Sequence, residues 1–129
     1  MESFAKICFI ALGGAFGAVA RHLVNISPLH NVFDKFVLPT FLINVVGSFV
    51  AGFSFILLTS RFSVSENVRL AIMVGFIGSF TTFATFELEI WGLIRNNHYF
   101  SALTYLFLSV AVGFIGLIAG IWLARNLPA

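Results

Sequence analysis

The chain has 129 residues, of which 60% are hydrophobic and 9% are charged, and its mean hydropathy is +1.04. A soluble domain normally carries about 25% charged residues, so this composition cannot cover a globular surface with water-compatible groups. It predicts lipid as the solvent for most of the exterior. The formal net charge of +2, without any basic run, does not suggest a nucleic-acid-binding protein.

The first apolar stretch, about residues 4–26, could be a cleaved signal peptide or a retained membrane span. Lys6 stands before the apolar residues, and Ala18-Val19-Ala20 imitates a cleavage site. Gly13 and Gly17, however, are spaced for helix packing, and further hydrophobic segments follow. We interpret the stretch as a retained first span that itself directs insertion.

Three more apolar stretches follow, each long enough to cross a bilayer, which takes about 20 residues. They cover about residues 36–60, 70–94 and 99–124. Pro39 falls in the first turn of the second stretch, where the missing N–H costs nothing. The chain is therefore predicted to be an all-α membrane protein, with a single domain over residues 1–129 and four transmembrane helices.

The positive charges give almost no signal for the orientation of these helices, although such charges usually mark cytoplasmic loops. Four of the seven Lys and Arg residues fall on one side and three on the other. The first set is Lys6, Arg61, Arg69 and Arg125, and the second is Arg21, Lys35 and Arg95. Two explanations stay open: the chain inserts both ways and forms antiparallel dimers, or a predicted helix boundary places one charge on the wrong side.

Small residues recur at four-residue spacing in three of the stretches, which predicts close helix packing in lipid. The pairs are Gly13 and Gly17, Ser48 and Gly52, and Gly116 and Gly120. Four short helices leave little interior for a polar pathway. The small-residue faces and the even charge split therefore both point to an oligomer, most simply a dimer.

The third stretch contains GFIGSFTTFATF over residues 75–86, in which glycines and threonines are poor helix formers. A broken backbone at this depth is tolerated where it is buried in protein or lines a polar cavity. Freed carbonyl groups could then coordinate a cation, and freed N–H groups could face an anion. An intact helix, whose threonine hydroxyls bond back to its own carbonyls, is equally compatible with the sequence.

Asn44 and a pair of phenylalanines are the candidate functional side chains. An amide in hydrocarbon is costly unless it is paired, so Asn44 either joins two helices by a hydrogen bond or serves transport. Phe83 and Phe86 are three residues apart and share a helix face. The positive edge of a phenyl ring attracts anions, and conduction needs such weak binding at several sites.

The sequence shows no pattern of an enzyme, a nucleotide-binding protein or a histidine metal site. Glu87 and Glu89 have no partner carboxylate or nucleophile nearby in the sequence. The glycines at the start of the chain lack the strand and the Lys-Ser/Thr of a phosphate loop. The three histidines, His22, His30 and His98, show no metal-ligand spacing.

Three segments together resemble one family, the Fluc (CrcB) fluoride channels: residues 13–21, 40–49 and 75–86. Their order and spacing match over nearly the whole chain. The resemblance implies an antiparallel, dual-topology homodimer with two pores in the bacterial inner membrane, whose third helix is broken near the bilayer midplane. Such a channel exports fluoride passively and lowers its concentration in the cytoplasm. The implied partners are fluoride, a second copy of the chain and membrane lipid, with no nucleic acid and no nucleotide.

The resemblance also assigns residues. It implies that Asn44 donates its amide to fluoride and that Phe83 and Phe86 contact the ion through their ring edges. It implies a structural sodium ion at the dimer centre, held by the backbone carbonyls of Gly78 and Thr81 from both subunits. The remaining pathway residues that it implies are Thr85, Tyr105, Ser109 and Arg21, and Glu89 fits a glutamate of the family.

Two positions depart from the family pattern. Ala84 replaces a serine of the phenylalanine motif, and Gly113 stands one turn after Ser109, where a second serine is expected. Both changes remove hydroxyls from the implied polar track, so water or backbone groups are expected to replace them.

Other classes of membrane protein remain as alternatives. A small dual-topology multidrug exporter needs a carboxylate in the membrane, usually in the first span, and residues 4–26 contain no acid. A fluoride–proton exchanger differs from a channel in requiring a proton gradient. A structural subunit of a larger complex would leave a broken third span without a purpose.

Overall fold

The computed structural model describes Met1–Pro128, and all the regular secondary structure in this range is helical. Four helical segments of these residues are long and apolar enough to cross a membrane. They are Glu2–Asn31, Leu38–Arg61, Glu66–Arg95 and Tyr99–Asn126. The predicted all-α fold with four spans is confirmed, and the segments extend the predicted stretches by a few residues at most of their ends.

The first two segments are nearly continuous helices. Helix α1 covers Glu2–Asn25 and is followed by a 3₁₀ turn, Pro28–Asn31. Helix α2 covers Leu38–Ile56 and runs into a π-helical turn, Leu57–Arg61. Pro39 lies in the first turn of α2, as the sequence predicts, because no helical carbonyl there requires its missing N–H.

The third segment is assembled from several pieces. Helix α3, Glu66–Leu70, continues as a π-helical stretch, Ala71–Ile77, and then as helix α4, Gly78–Phe80. Residues 81–83 are not helical, and Thr81 is extended with φ −74° and ψ 155°. Helix α5 then covers Ala84–Arg95. The segment therefore has two helical halves joined by three extended or bent residues.

A tight reversal joins α5 to helix α6, which covers Tyr99–Asn126. The N–H of His98 donates to the carbonyl of Leu93 at 2.8 Å, and that of Asn97 donates to Ile94 at 2.9 Å. Asn97 has a φ of 63°, in the left-handed region that asparagine tolerates better than most residues. This pair of bonds is a Schellman motif, which ends α5 and returns the chain antiparallel to it.

Helix α1 packs against the first half of the third segment through glycines. A Cβ on Gly13 would overlap the carbonyl oxygen of Ala71, and one on Gly17 would overlap the carbonyl oxygen of Phe76. From the other side, a Cβ on Gly75 would meet the backbone of α1 at Ile10 and Gly13. The two backbones therefore touch, as close packing by small residues in lipid requires.

Helix α2 packs against α6 in the same manner. A Cβ on Gly52 would overlap the carbonyl oxygen of Leu117, and one on Gly120 would overlap that of Phe49. All three small-residue pairs of the sequence thus lie on helices that pack closely within one chain. The expectation that these faces indicate a dimer is wrong, because the contacts that they make are intramolecular.

The outer surface is strongly apolar. Exposed fractions reach 70% for Phe16, 82% for Phe100 and 65% for Trp122. In water, apolar patches of this extent mark an interaction surface or an aggregation hazard. On helices that are long enough to span a bilayer, they are the surface that lipid or another helix covers.

Polar contacts tie the helix ends together at one end of the bundle. Lys6 of α1 and Glu66 of α3 form an ion pair at 3.1 Å. The guanidinium of Arg61 donates to the carbonyl oxygen of Arg125 at 2.8 Å and so satisfies a carbonyl in the last turn of α6. Two of the four positive side chains assigned to this end by the sequence are therefore engaged within the chain.

Candidate functional site

A groove lies where α2, the non-helical residues 81–83 and α6 meet, and its volume is about 340 Å³. Asn44, Gly47 and Ser48 of α2 form one wall. Thr81, Thr82, Phe83 and Phe86 form the second wall, and Ser109 of α6 contributes to the third. The structure thus brings four of the predicted pathway residues together: Asn44, Phe83, Phe86 and Ser109.

Asn44 is hydrogen-bonded to the non-helical backbone. Its Nδ2 donates to the carbonyl oxygen of Thr82 at 3.0 Å, and its Oδ1 accepts from the N–H of Thr82 at 2.9 Å. Asn44 therefore joins the second span to the third by hydrogen bonds, which is one of the two roles that the sequence left open. An asparagine amide carries two N–H donors, so the second one is free to face the groove. The role of Asn44 as a fluoride donor stays a prediction.

This clamp also explains why the helix does not continue through Thr82. An uninterrupted helix would use the N–H of Thr82 to bond the carbonyl of Gly78, but Asn44 takes that N–H instead. Among the described residues, no hydrogen bond reaches the carbonyl oxygens of Gly78 or Thr81. The hydroxyl of Thr81 donates back to the carbonyl oxygen of Ile77 at 2.9 Å, so it does not occupy the carbonyl of Thr81 itself.

The two carbonyls that the resemblance implies as sodium ligands therefore fit that role chemically. Hard cations prefer oxygen ligands, and unwound backbone carbonyls coordinate sodium in other membrane proteins. Gly78 is exposed on the surface of the single chain, so its carbonyl can also be reached by a second subunit. The bound ion itself remains a prediction.

The two phenylalanines stand differently in the groove. Phe86 is 4% exposed, whereas Phe83, the residue before α5, is 71% exposed. Their ring centroids are 6.3 Å apart with a tilt of 48° between the planes. Both rings line the groove. Phe86 packs in the core with Tyr105, whereas the ring of Phe83 lies on the surface of the single chain.

Ser109 carries a buried polar atom that lacks a partner. The residue is 8% exposed, and its Oγ has no hydrogen-bond partner within residues 1–128. Buried hydroxyls are nearly always satisfied, and Ser109 is one of the residues that line the groove, so it is a candidate to bind a polar group there.

Gly113, one of the two departures from the family pattern, lies close to Ser48 of α2. Gly113 is buried one turn beyond Ser109, and a Cβ there would be 3.8 Å from the Oγ of Ser48 on α2. The Ser48 hydroxyl therefore lies next to the position that the Cβ of a serine at position 113 would occupy. Sequence reasoning treated Ser48 only as a packing residue, because nothing in the sequence shows that α2 and α6 face each other here. Ala84, the other departure, is exposed and does not line the groove.

A second polar cluster lies behind Phe86, outside the groove. The hydroxyl of Thr40 donates to Oε1 of Glu89, and the hydroxyl of Tyr105 donates to Oε2, both at 2.7 Å. Thr40 is 1% exposed and Tyr105 is fully buried. As a predicted pathway residue, Tyr105 was expected to line the groove with Ser109. It does not, and its hydroxyl donates to Glu89 instead. Thr40 was missed as a site residue, although it opens one of the three family-like segments.

The last two predicted pathway residues lie apart from the groove. Arg21 is half-buried near the end of α1, and Thr85 is half-buried in the first turn of α5. Neither lines the groove. Their assignment continues to rest on the resemblance.

These observations define a class of protein: a small α-helical membrane protein of four spans, with a groove of uncharged polar groups and aromatic rings. The chain belongs to the CrcB-like family, whose model, described as "CrcB-like protein, Camphor Resistance (CrcB)", matches residues 8–121. The resemblance found from the three segments is thereby confirmed.

Proteins with the name "Fluoride-specific ion channel FluC" are similar to the chain over most of its length. The one from Hahella chejuensis is 38% identical over 95% of this chain and 97% of its own. The one from Desulforapulum autotrophicum is 40% identical over 93% of this chain and 96% of its own. The one from Phocaeicola vulgatus is 37% identical over 93% of this chain and 98% of its own.

Proposed function

We propose that the chain is the subunit of a fluoride-selective channel that exports fluoride passively and lowers its concentration in the cytoplasm. The observation that carries the proposal is the amide of Asn44, fixed by Thr82 at the groove that Phe83 and Phe86 line. Relatives bearing the name of fluoride-specific ion channels support it. Those names describe channels and not enzymes, in agreement with the sequence.

The groove offers several weak ligands for an anion and no permanent charge. The free N–H of Asn44, the hydroxyls of Ser48 and Ser109, and the ring edges of the phenylalanines can each replace part of a hydration shell. No Lys or Arg lines the groove. A small anion is therefore attracted but not trapped, as rapid conduction requires.

We further propose that the working unit is an antiparallel homodimer of dual topology. Phe83 and Gly78 are exposed on the single chain beside an open groove, and a second copy would cover both. The free carbonyls of Gly78 and Thr81, together with those of the partner, would hold the structural sodium ion. In this proposal residues 81–83, near the middle of Glu66–Arg95, lie at the bilayer midplane.

The dimer has a direct test. Native mass spectrometry of the protein released from detergent should give about twice the chain mass of 14.1 kDa. A chain that is monomeric in mild detergent and in lipid nanodiscs would contradict the proposal. Cross-linking in membranes should then join subunits of opposite orientation.

Passive conduction is favoured over proton-coupled exchange by the position of the carboxylates. No acid lines the groove, and Glu89 lies behind Phe86 with both oxygens accepting hydrogen bonds. In the bacterial inner membrane, where we place the protein, the membrane potential would drive the anion outward. The alternative, a multidrug-type exporter or a fluoride–proton exchanger, would require a groove-facing carboxylate.

The deciding experiment is fluoride efflux from liposomes that contain the purified protein, with chloride efflux measured in parallel. Fluoride should leave much faster than chloride and without an imposed proton gradient. Equal leak of both ions, or of neither, would overturn the channel proposal. Fluoride movement only in the presence of a proton gradient would establish the exchanger instead.

Replacing Phe83 with isoleucine should reduce fluoride flux strongly while leaving the assembly intact. The side chain stays apolar and is exposed in the single chain, but it loses the ring edge that faces the anion. We expect about a tenfold loss or more, which corresponds to about 1.4 kcal/mol in a barrier. Phe114→Ile is the matched control, because Phe114 is similarly exposed, at 61%, and lines none of the groove. Unchanged flux in Phe83→Ile would remove Phe83 from the pathway.

A further inference from the structure

A second cavity, of about 230 Å³, lies at the end of the bundle where the second span finishes and the third begins. The last turns of the second span form one side of it, and the first turns of the third span form the other. Its lining includes Phe55, Leu58, Thr59, Arg69, Met73 and Val74. None of its lining residues belongs to the groove described above, so it is a separate feature of the molecule.

Both sides of this cavity contain π-helical turns. Thr59 lies in the turn Leu57–Arg61, and Met73 and Val74 lie in the stretch Ala71–Ile77. Such turns are rare in proteins and are found frequently at functional sites. The groove uses none of these three side chains, which makes the cavity a candidate for a second site with a ligand of its own.

The outer part of the cavity lies at the level of the lipid headgroups. The third span, Glu66–Arg95, has 30 residues, which cover about 45 Å at the rise of an α-helix and so exceed the hydrocarbon thickness of about 30 Å. Arg69 lies in the first turn of this span, and Thr59 lies close to the end of the second span. Phe55 and Met73 lie one turn deeper, at the level of the acyl chains.

Arg69 is the charged group of the cavity. Its side chain is exposed and forms no ion pair within residues 1–128, whereas Glu66, three residues earlier, is paired with Lys6. The hydroxyl of Thr59 already donates to the carbonyl oxygen of Phe55, and no carboxylate lines the cavity. A guanidinium can bind a phosphate group through two parallel hydrogen bonds, so Arg69 is available for an anionic headgroup.

We propose that this cavity binds an anionic phospholipid, with the phosphate at Arg69 and an acyl chain against Phe55, Met73 and Val74. Phe55 and Val74 are each 53% exposed, so the apolar part of the cavity is open to the membrane. Basic pockets between membrane helices bind anionic headgroups in this manner. A zwitterionic lipid fits less well, because its own cation would lie near the guanidinium. The proposal does not depend on the channel function.

Native mass spectrometry of the purified protein in a neutral detergent tests the site. The protein is titrated with phosphatidylglycerol and, separately, with phosphatidylcholine that has the same acyl chains. The wild type should bind phosphatidylglycerol at least about fivefold more tightly, the preference that one basic residue provides. Arg69→Gln should lose this preference. Arg125→Gln is the matched control, because it removes an exposed charge at the same end of the bundle but lines no part of the cavity.

A second pair of variants tests the apolar part of the cavity. Phe55→Ala should weaken phosphatidylglycerol binding about threefold or more, because it removes apolar contact with the acyl chain. Phe114→Ala should have no such effect, since Phe114 is similarly exposed and lies outside the cavity. Glycerol phosphate, which carries the charge without the acyl chains, should not displace the bound lipid. Displacement would indicate a site for free phosphate and contradict a lipid site.

Thermal unfolding gives an independent measurement. Phosphatidylglycerol should raise the unfolding midpoint of the wild type but not that of Arg69→Gln, because a ligand that binds only the folded state stabilises it. The midpoint of Arg69→Gln without lipid shows whether that variant is folded. Equal binding of both lipids, or equal binding by the wild type and Arg69→Gln, would overturn the proposal. A dimer that retains no lipid would overturn it as well, and would indicate that the second copy covers the cavity.

Discussion

Replacing Asn44 with leucine is expected to abolish fluoride flux and to destabilise the fold. The substitution leaves the N–H and the carbonyl of Thr82 without partners inside the bundle. A buried polar group deprived of its partner costs about 1–3 kcal/mol, while interhelical hydrogen bonds in membranes average nearer about 0.6 kcal/mol. We therefore expect a loss of roughly 2 kcal/mol in the free energy of unfolding, measured by titration with a denaturing detergent.

A second substitution at the same position separates the structural role of Asn44 from a role in conduction. Asn44→Asp keeps an oxygen that accepts from the N–H of Thr82, but it loses both Nδ2 donors, including the one bonded to the Thr82 carbonyl, and adds a negative charge. Because one of the two hydrogen bonds to Thr82 is kept, its free energy of unfolding should lie between those of Asn44→Leu and the wild type, while its fluoride flux should fall about ten- to a hundredfold, the equivalent of one lost hydrogen bond to an ion. Ser54→Ala on the same helix is the control, because Ser54 lines neither cavity. Normal flux in Asn44→Asp would show that the amide only supports the backbone.

Replacing Gly13 with alanine should destabilise the protein by about 3 kcal/mol, at the upper end of overpacking effects. The new methyl group would overlap the backbone carbonyl of Ala71, and no rotamer change can relieve a collision between a Cβ and a backbone. Helix α1 must then move away from the third segment. The midpoint of thermal unfolding in detergent, together with the dimer fraction, measures the effect.

Gly92→Ala is the matched control for that prediction. Gly92 lies inside α5, and a Cβ there would meet nothing within 4 Å. Alanine is the better helix former by about 1 kcal/mol, so this variant should be as stable as the wild type or more stable. If both alanine variants behave alike, the close contact between α1 and the third segment does not limit stability.

The four spans could be predicted from the sequence because hydropathy and length act locally. The place of Pro39 in the first turn of a helix follows from its position in the sequence alone. The close packing of the glycine pairs follows from their spacing. Which helix each pair faces is a tertiary property. For that reason the spacing of Gly13 and Gly120 does not reveal that they pack α1 on the third segment and α2 on α6.

The site could be predicted in part. One groove contains four of the predicted residues: Asn44, Phe83, Phe86 and Ser109. The family resemblance could predict this grouping because a family's motif residues reflect a shared tertiary structure, which composition alone does not. The proximity of Ser48 on α2 to Gly113 on α6 could not be foreseen, since it depends on a distance between the two helices. The hydrogen bond of Tyr105 to Glu89 could not be foreseen either, since it too depends on how two helices pack, and the role of Tyr105 in the pathway stays a prediction.

The burial of Tyr105 also changes how Glu89 is understood. The sequence shows an isolated glutamate late in the third span, while the structure gives each of its oxygens a hydroxyl donor from another helix. A carboxylate held this way joins the start of α2, α5 and α6 at one point.

The clamp between Asn44 and Thr82 has a consequence for how the chain is made. Its two residues are 38 positions apart in the sequence, so the second span is already in the membrane when the third emerges from the ribosome. Until the two meet, an unclamped Thr82 has only its own helix to satisfy its N–H, since lipid offers no partner. We therefore expect the third span to enter the bilayer as an ordinary continuous helix and to unwind at residues 81–83 only on docking with the second, which makes the opening of the backbone a late step of biogenesis.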